Sequence, residues 1–170
     1  GFRGGSLREI AKRVGVTPAG LLHHFADKEE LFAEVLRQRD EKVRQAAGDP
    51  AEHTLLAQAR RVVAHNRASR GLTSLYAIVS AEATDSEHPS HADFAARYRD
   101  RATEAEAILR LGQADGEVRD DIDPALAARL ISGVMDGIQL QWLLDDTVDM
   151  VALFDEFVRG YLLPPAEPRR

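Results

Sequence analysis

A chain of 170 residues holds one sizeable core, or a small module joined to a larger one, and the absence of cysteine excludes disulfides and thiolate metal sites, which suits a reducing, cytoplasmic setting. No apolar run approaches the ~18 residues of a membrane span and no charged-then-apolar leader is visible, so neither membrane association nor export is expected. The net charge of -6 argues against nucleic acid until its distribution is read: residues 1–28 carry Arg3, Arg8, Lys12, Arg13 and Lys28 against Glu9 and Asp27, a net of +3, which leaves -9 on the remainder.

The basic end contains two complete helix starts and a shared turn. Ser6-Leu7-Arg8-Glu9 is a capping box, the serine accepting from the Glu9 amide and the glutamate reaching back to the Ser6 amide. Leu7, Ile10, Ala11 and Val14 follow at helical spacing and predict one buried stripe, with Arg8, Lys12 and Arg13 outside. Gly15 stops this helix because glycine enters the left-handed region without steric cost. Thr17-Pro18 restarts it, threonine as N-cap and proline at the first helical position, and the second helix runs to about Phe25 with Leu21 and Phe25 facing the first. Asp27-Lys28-Glu29-Glu30 repeats the capping logic for a longer helix through Leu31, Val35 and Val43 to about Ala47. A small Ala11, a glycine turn and a Leu21 plug are what a helix-turn-helix needs at its contact.

This ordered run resembles the DNA-binding domain of the tetracycline-repressor (TetR) family. The resemblance is carried by the Gly1-Phe2 loop, the Ser6-capped helix, the Gly15-Val16 turn, a recognition helix ending in His24-Phe25 and the Lys28-Glu29-Glu30-Leu31 start. It implies a helix-turn-helix DNA-binding head and a helical body holding a small-molecule effector and a dimer interface. It also implies DNA contacts from Ser6, Thr17, Pro18, Ala19, Gly20, Leu22, His23, His24 and Lys28. Thr17 and Lys28 suit phosphate, while Pro18, Ala19, Gly20 and His23 lie where base edges are met. Leu22 departs from the family, which carries a phosphate-touching tyrosine there. Members also carry a full helix before the Gly-Phe loop. This chain starts at the loop without an initiator Met, which points to a missing segment, so Leu7, Ile10 and Phe25 are expected to lose part of their cover.

Beyond Gly48-Asp49-Pro50 the pattern stays helical. A helix from about Ala51 to Arg70 carries Leu55, Ala59, Val62, Val63 and Asn66 on one stripe. Gly71 breaks the chain, and Leu72, Leu75, Tyr76 and Val79 define the next helix, with Glu82 on the same side. Asn66 and Glu82, polar on core stripes, are either ligand contacts or internally satisfied groups. After a polar break at Thr84–Pro89, a helix from about His91 to Gln113 turns Phe94, Tyr98, Ala102, Ala105, Ile108 and Leu109 inward beneath an arginine-rich outer face.

Asp123-Pro124 opens a helix to about Leu144, and a last one spans about Val148 to Leu162. Both are apolar on more than one face, and a helix apolar on two sides must be covered on two sides. The second cover is assigned to another subunit through Leu130, Gly133, Val134, Gly137, Ile138, Phe154, Phe157 and Val158. Candidate effector contacts, placed by the resemblance, are Val62, Asn66, Leu75, Tyr76, Val79, Phe94, Tyr98, Met135, Gln139 and Trp142. With no strand-period segment the fold is read as all-α: a head over residues 1–47, a ligand-binding and dimerisation body over 48–163, and a disordered tail over 164–170.

His65, Asp85, Glu87, His88 and His91 are the residues an enzyme reading would use. A lone Asp85-x-x-His88 followed by Pro89 reads as a loop rather than half of a di-iron site, so no metal, cofactor or catalytic residue is expected. A bias to arginine over lysine, with only Lys12, Lys28 and Lys42, matches GC-rich bacterial composition. The leading reading is a ligand-responsive repressor that binds a palindromic operator in double-stranded DNA as a homodimer. The alternative is a helical small-molecule binding protein or enzyme with a vestigial head.

Overall fold

The computed structural model describes residues 6–48 and 55–165, and among these all regular structure is helical. The helices are α1 (Leu7–Val14), α2 (Pro18–His24), α3 (Lys28–Ala47), α4 (Leu55–Ala68), α5 (Arg70–Glu82), α6 (His91–Ala114), α7 (Pro124–Leu144) and α8 (Met150–Phe157). A π-helical turn over Val158–Leu162 continues α8, closed by the Leu163 amide donating to the Val158 carbonyl at 3.1 Å.

Local chemistry sets the helix ends. The Ser6 hydroxyl accepts from the Glu9 amide at 3.3 Å and the Ser6 amide donates to the Glu9 carboxylate at 2.8 Å, completing the capping box. That carboxylate is held below its usual range chiefly by the Ser6 amide bond. Gly15, at φ 77°, takes the left-handed turn while its amide and that of Val16 both donate to the Ala11 carbonyl. At α3 the box is displaced by one residue. Asp27 caps the Glu30 amide at 2.8 Å, but the Glu30 carboxylate reaches the amide of Ala26 rather than that of Asp27. Asp123 and Asp149 cap α7 and α8 through the amides of Ala125 and Val151.

The body forms two buried clusters. One joins α4, α6, α7 and α8 through Val63, Leu109, Ala127, Ile138, Trp142, Met150 and Phe154. The other joins α3 to α5 and α6 through Phe32, Leu36, Tyr76, Val79 and Phe94. Helix α3 therefore belongs to both parts of the molecule, starting beside the head and packing its middle against the body.

Several sequence expectations shift. The buried stripe of α3 is Phe32, Leu36 and Arg39, one position round from Leu31 and Val35. Val14 is 63% exposed at the end of α1, and Leu7, Ile10 and Phe25 are half-buried, leaving Ala11 as the one fully buried residue of α1 and α2. The break before α5 falls at Ser69, and Gly71 sits in the first turn, where helix amides need no internal acceptor. Of the tail, residues 166–170 lie outside the described residues.

The α6–α7 connection shows where a glycine is required for space. Both the Glu117 and Val118 amides donate to the Gly112 carbonyl, at 2.8 and 3.0 Å, folding Val118 onto Gly112. A Cβ on Gly112 would stand 2.7 Å from Val118 Cγ2, whereas one on Gly133 meets nothing within 4 Å. Gly112→Ala is expected to lower stability by about 1–3 kcal/mol through overpacking. Gly71→Ala, where a Cβ likewise meets nothing within 4 Å, should stay at or above wild type, because alanine is the better helix former. Equal denaturant midpoints for the two variants would refute this packing.

Candidate functional site

The head presents the residues assigned to DNA. Ser6, Thr17, Pro18, Ala19, Gly20, Leu22, His23 and His24 are all exposed, and Lys28 is half-buried at the first position of α3. The Thr17 hydroxyl accepts from the Gly20 amide at 3.0 Å, so its proton remains available to an outside acceptor. A Cβ on Gly20 would sit 3.0 Å from that oxygen, which ties the glycine to the cap. His23 and His24 meet edge to face, ring centroids 5.3 Å apart. An exposed short helix with a free hydroxyl at its start and no acidic side chain in its first turn can approach a phosphate backbone.

Inside the body lies a cavity of about 770 Å³ walled by α3, α4, α6, α7 and α8, with Tyr76 contributed by α5. Of the expected effector contacts, Val62, Asn66, Tyr76, Tyr98, Met135 and Gln139 line it. Leu75, Val79, Phe94 and Trp142 do not. Val79 and Phe94 are packed in the cluster under α3, with Leu75 against it, and Trp142 belongs to the main core, where the Arg70 guanidinium lies 4.7 Å over its ring.

The cavity also holds charges that the sequence reading left outside. Arg97 and Arg101, two of the arginines of α6, whose outer face was expected to be arginine-rich, turn inward with Arg39 and Asp40 of α3. Asp40 pairs with Arg97, with Arg101 at 2.8 Å and with Arg39 at 3.3 Å. Arg39 is 5% exposed and stacks 4.2 Å from the Tyr76 ring centroid, and the Tyr76 hydroxyl accepts from Arg101 at 3.1 Å. Desolvation first, then repulsion from Arg101, pushes the Arg39 pKa down to about 10, and the same causes with Arg39 added bring Arg97 to about 10. Tyr98 donates to Asp136 at 2.6 Å; burial raises both pKa values, that bond raising Tyr98 further and drawing Asp136 back down. The signal for Arg97 and Arg101 was spacing, since they stand three and seven residues after the buried Phe94. Arg39 likewise follows Phe32 by seven.

The expected interface residues divide. Ile138, Phe154 and Val158 are buried in this subunit's own core, so they cannot form a surface with another. Leu130 and Gly133 are exposed, and Val134, Gly137 and Phe157 are half-buried. Leu126, Leu130, Leu140 and Leu144 are all exposed, and with Gly133 and Gly137 they fall on one stripe of α7 at alternating spacings of four and three.

Two of the histidines that an enzyme reading would use, His88 and His91, have structural partners. The His88 Nδ1 accepts from the Ser90 amide at 3.1 Å, and the His91 ring is 2.8 Å from the Ala83 carbonyl. Among the described residues no group of three or more such side chains is placed to hold a metal ion, and no helix is long and apolar enough to cross a membrane.

Residues 1–35 match the model of bacterial regulatory proteins of the tetR family, and residues 51–163 match that of the C-terminal part of BetI-type transcriptional repressors. The HTH-type transcriptional regulator UidR of Escherichia coli is 27% identical over 163 residues, covering 94% of this chain and 80% of that protein. In fold, the chain is similar to a regulatory protein TetR from Rhodobacter sphaeroides, with TM-score 0.78, 18% identity and 96% and 90% of the two chains covered. It is also similar to the regulator FadR from Bacillus subtilis, solved in complex with stearoyl-CoA, with TM-score 0.71, 22% identity and coverage of 92% and 86%. With its head matched by one family model and its body, more than half of its length, matched by the other, the chain belongs to the tetR family of bacterial regulatory proteins, DNA-binding regulators of transcription rather than enzymes.

Proposed function

We propose that this regulator is a repressor that binds a palindromic operator as a homodimer and is controlled by a small molecule held in the cavity. The observation that carries the reading is that α3 both starts the cavity wall at Glu29 and Phe32 and leads directly out of the head. A ligand that changes the seat of α3 therefore changes the angle at which the recognition helix is presented. About 770 Å³ lies within the ~300–1,000 Å³ range of small-molecule sites, and the lining joins an aliphatic wall to a cluster of charged and polar groups. The stearoyl-CoA held by the fold neighbour from Bacillus subtilis supports an effector with a long apolar part.

Pairing of α7 and α8 with their two-fold copies gives the second cover for the exposed leucine stripe. Such a bundle sets the recognition helices about 34 Å apart or a multiple of it, one turn of DNA. A mobility-shift assay with fragments from around the gene's own locus tests the whole reading. Retention of a fragment that effector then releases is the expected result, and failure to retain any fragment would favour a ligand-binding protein with a vestigial head. Lys28→Ala is expected to weaken all DNA sequences alike and flatten the salt dependence by about one unit, as loss of one phosphate contact requires. An unchanged slope removes Lys28 from the contacts.

A further inference from the structure

We propose that Arg39, Arg97 and Arg101 form the seat for the carboxylate or phosphate head of an amphipathic effector, and that Asp40 is the built-in anion which that head displaces. The proposal rests on the effector reading of the cavity and adds to it the chemical class of the ligand and the contact it breaks.

Charge bookkeeping inside the cavity leaves a positive excess. Three guanidinium groups face two carboxyls, Asp40 and Asp136. Glu29, Asp93, Asp100 and Glu104, together with Arg44, also border the cavity, but all five are exposed, and water and salt screen them from the interior. Asp136 is engaged by the Tyr98 hydroxyl at 2.6 Å rather than by an arginine. Burial first, and the repulsion of neighbouring guanidinium groups second, hold Arg39 and Arg97 below the usual arginine range.

Hydrogen bonding shows the same deficit. Arg97 Nε is buried with no hydrogen-bond partner among the described residues, a donor left without an acceptor. A carboxylate or phosphate accepts in the planar, forked arrangement that guanidinium groups offer, and a lone neutral hydroxyl does not satisfy it. Val62, Ile108, Leu109, Ile131 and Met135 give the same cavity an apolar stretch of wall, which suits a hydrocarbon body behind the charged head.

Asp40 gives the site its consequence for regulation. It lies on α3, while Arg97 and Arg101 lie on α6, so its ion pairs tie the head-bearing helix to the body. A ligand anion that takes over those arginines frees α3 from α6. It thereby binds one arrangement of the two helices better than the other, which is what a coupling between sites requires.

Calorimetric titration of the full chain with decanoate, decyl phosphate and decanol tests the proposal, with no need to know the operator. Wild type is expected to bind at least one of the anions about tenfold or more tightly than the alcohol, and the better anion identifies the head as carboxylate or phosphate. Asp40→Asn removes the internal competitor and should tighten anion binding severalfold while leaving decanol unchanged. Arg97→Gln, checked for folding by circular dichroism, should narrow the preference for anions. Decanol binding as tightly as both anions in wild type would overturn the anion seat and leave the apolar cavity reading standing. No binding by any of the three would overturn both. A preference for anions that Asp40→Asn fails to strengthen would refute the displacement.

Discussion

Replacing Leu130 and Leu140 together by glutamate is expected to leave a folded monomer and to lower operator affinity about 10²- to 10⁴-fold, the avidity lost when two linked sites become independent. Both leucines are exposed on α7, so the change buries no charge within the subunit, and the thermal transition should fall only by the stabilisation that pairing supplied. In a paired bundle each glutamate would lie against its two-fold neighbourhood, where desolvating an unpaired carboxylate costs several kcal/mol per ion. The stripe around Gly133 and Gly137 has no Cβ to hold helices apart, so a partner can approach α7 closely there. Light scattering should report halved mass at micromolar concentration, with circular dichroism unchanged. If wild type is itself monomeric, or the double variant remains dimeric, α7 is not the dimer face.

Trp142→Ala should instead strike the fold. The indole belongs to the core cluster of α4, α6, α7 and α8, the Arg70 guanidinium lies on its ring, and Arg70 donates to the Trp142 and Leu143 carbonyls at 3.4 and 2.9 Å. Removing a buried aromatic of this kind costs about 3–5 kcal/mol, a large share of the ~5–15 kcal/mol that stabilises a domain. The resemblance in sequence places the same residue at the effector cavity, and the two roles predict different measurements. A wall residue would lower effector affinity with little change in the unfolding midpoint. A core residue moves the midpoint first, and that is the outcome expected here.

Asn66 and Arg39 show how far a single helix can be read. Asn66 extends the apolar stripe of α4 and lines the cavity, as its place on that stripe predicts. Arg39 lies on an equally regular stripe with Phe32 and Leu36, yet its charge argues for the outside until the Tyr76 ring and Asp40 are seen beside it. Arg97 and Arg101 follow the same logic on α6. A long charged side chain at an inward position either snorkels to water or finds partners, and helix periodicity does not distinguish these.

The sequence by itself determined the helix ends and the head. Ser6 with Glu9, Gly15, Thr17 with Pro18, and Asp123 with Pro124 act over three or four residues, and each forms the cap or turn its chemistry dictates. It also determined the family, because that ordered series of short-range signals survives without knowledge of any distant contact. Only the tertiary structure decided which side of a doubly apolar helix is core. Ile138 turns inward and Leu140 outward on α7, although both are aliphatic and two residues apart. It alone decided that three arginines from α3 and α6 share one chamber with Asp136 of α7, since that meeting depends on how segments up to about a hundred residues apart pack together. Caps are local bonds, whereas the side a helix buries and the charges it encloses are set by what the rest of the chain brings against it.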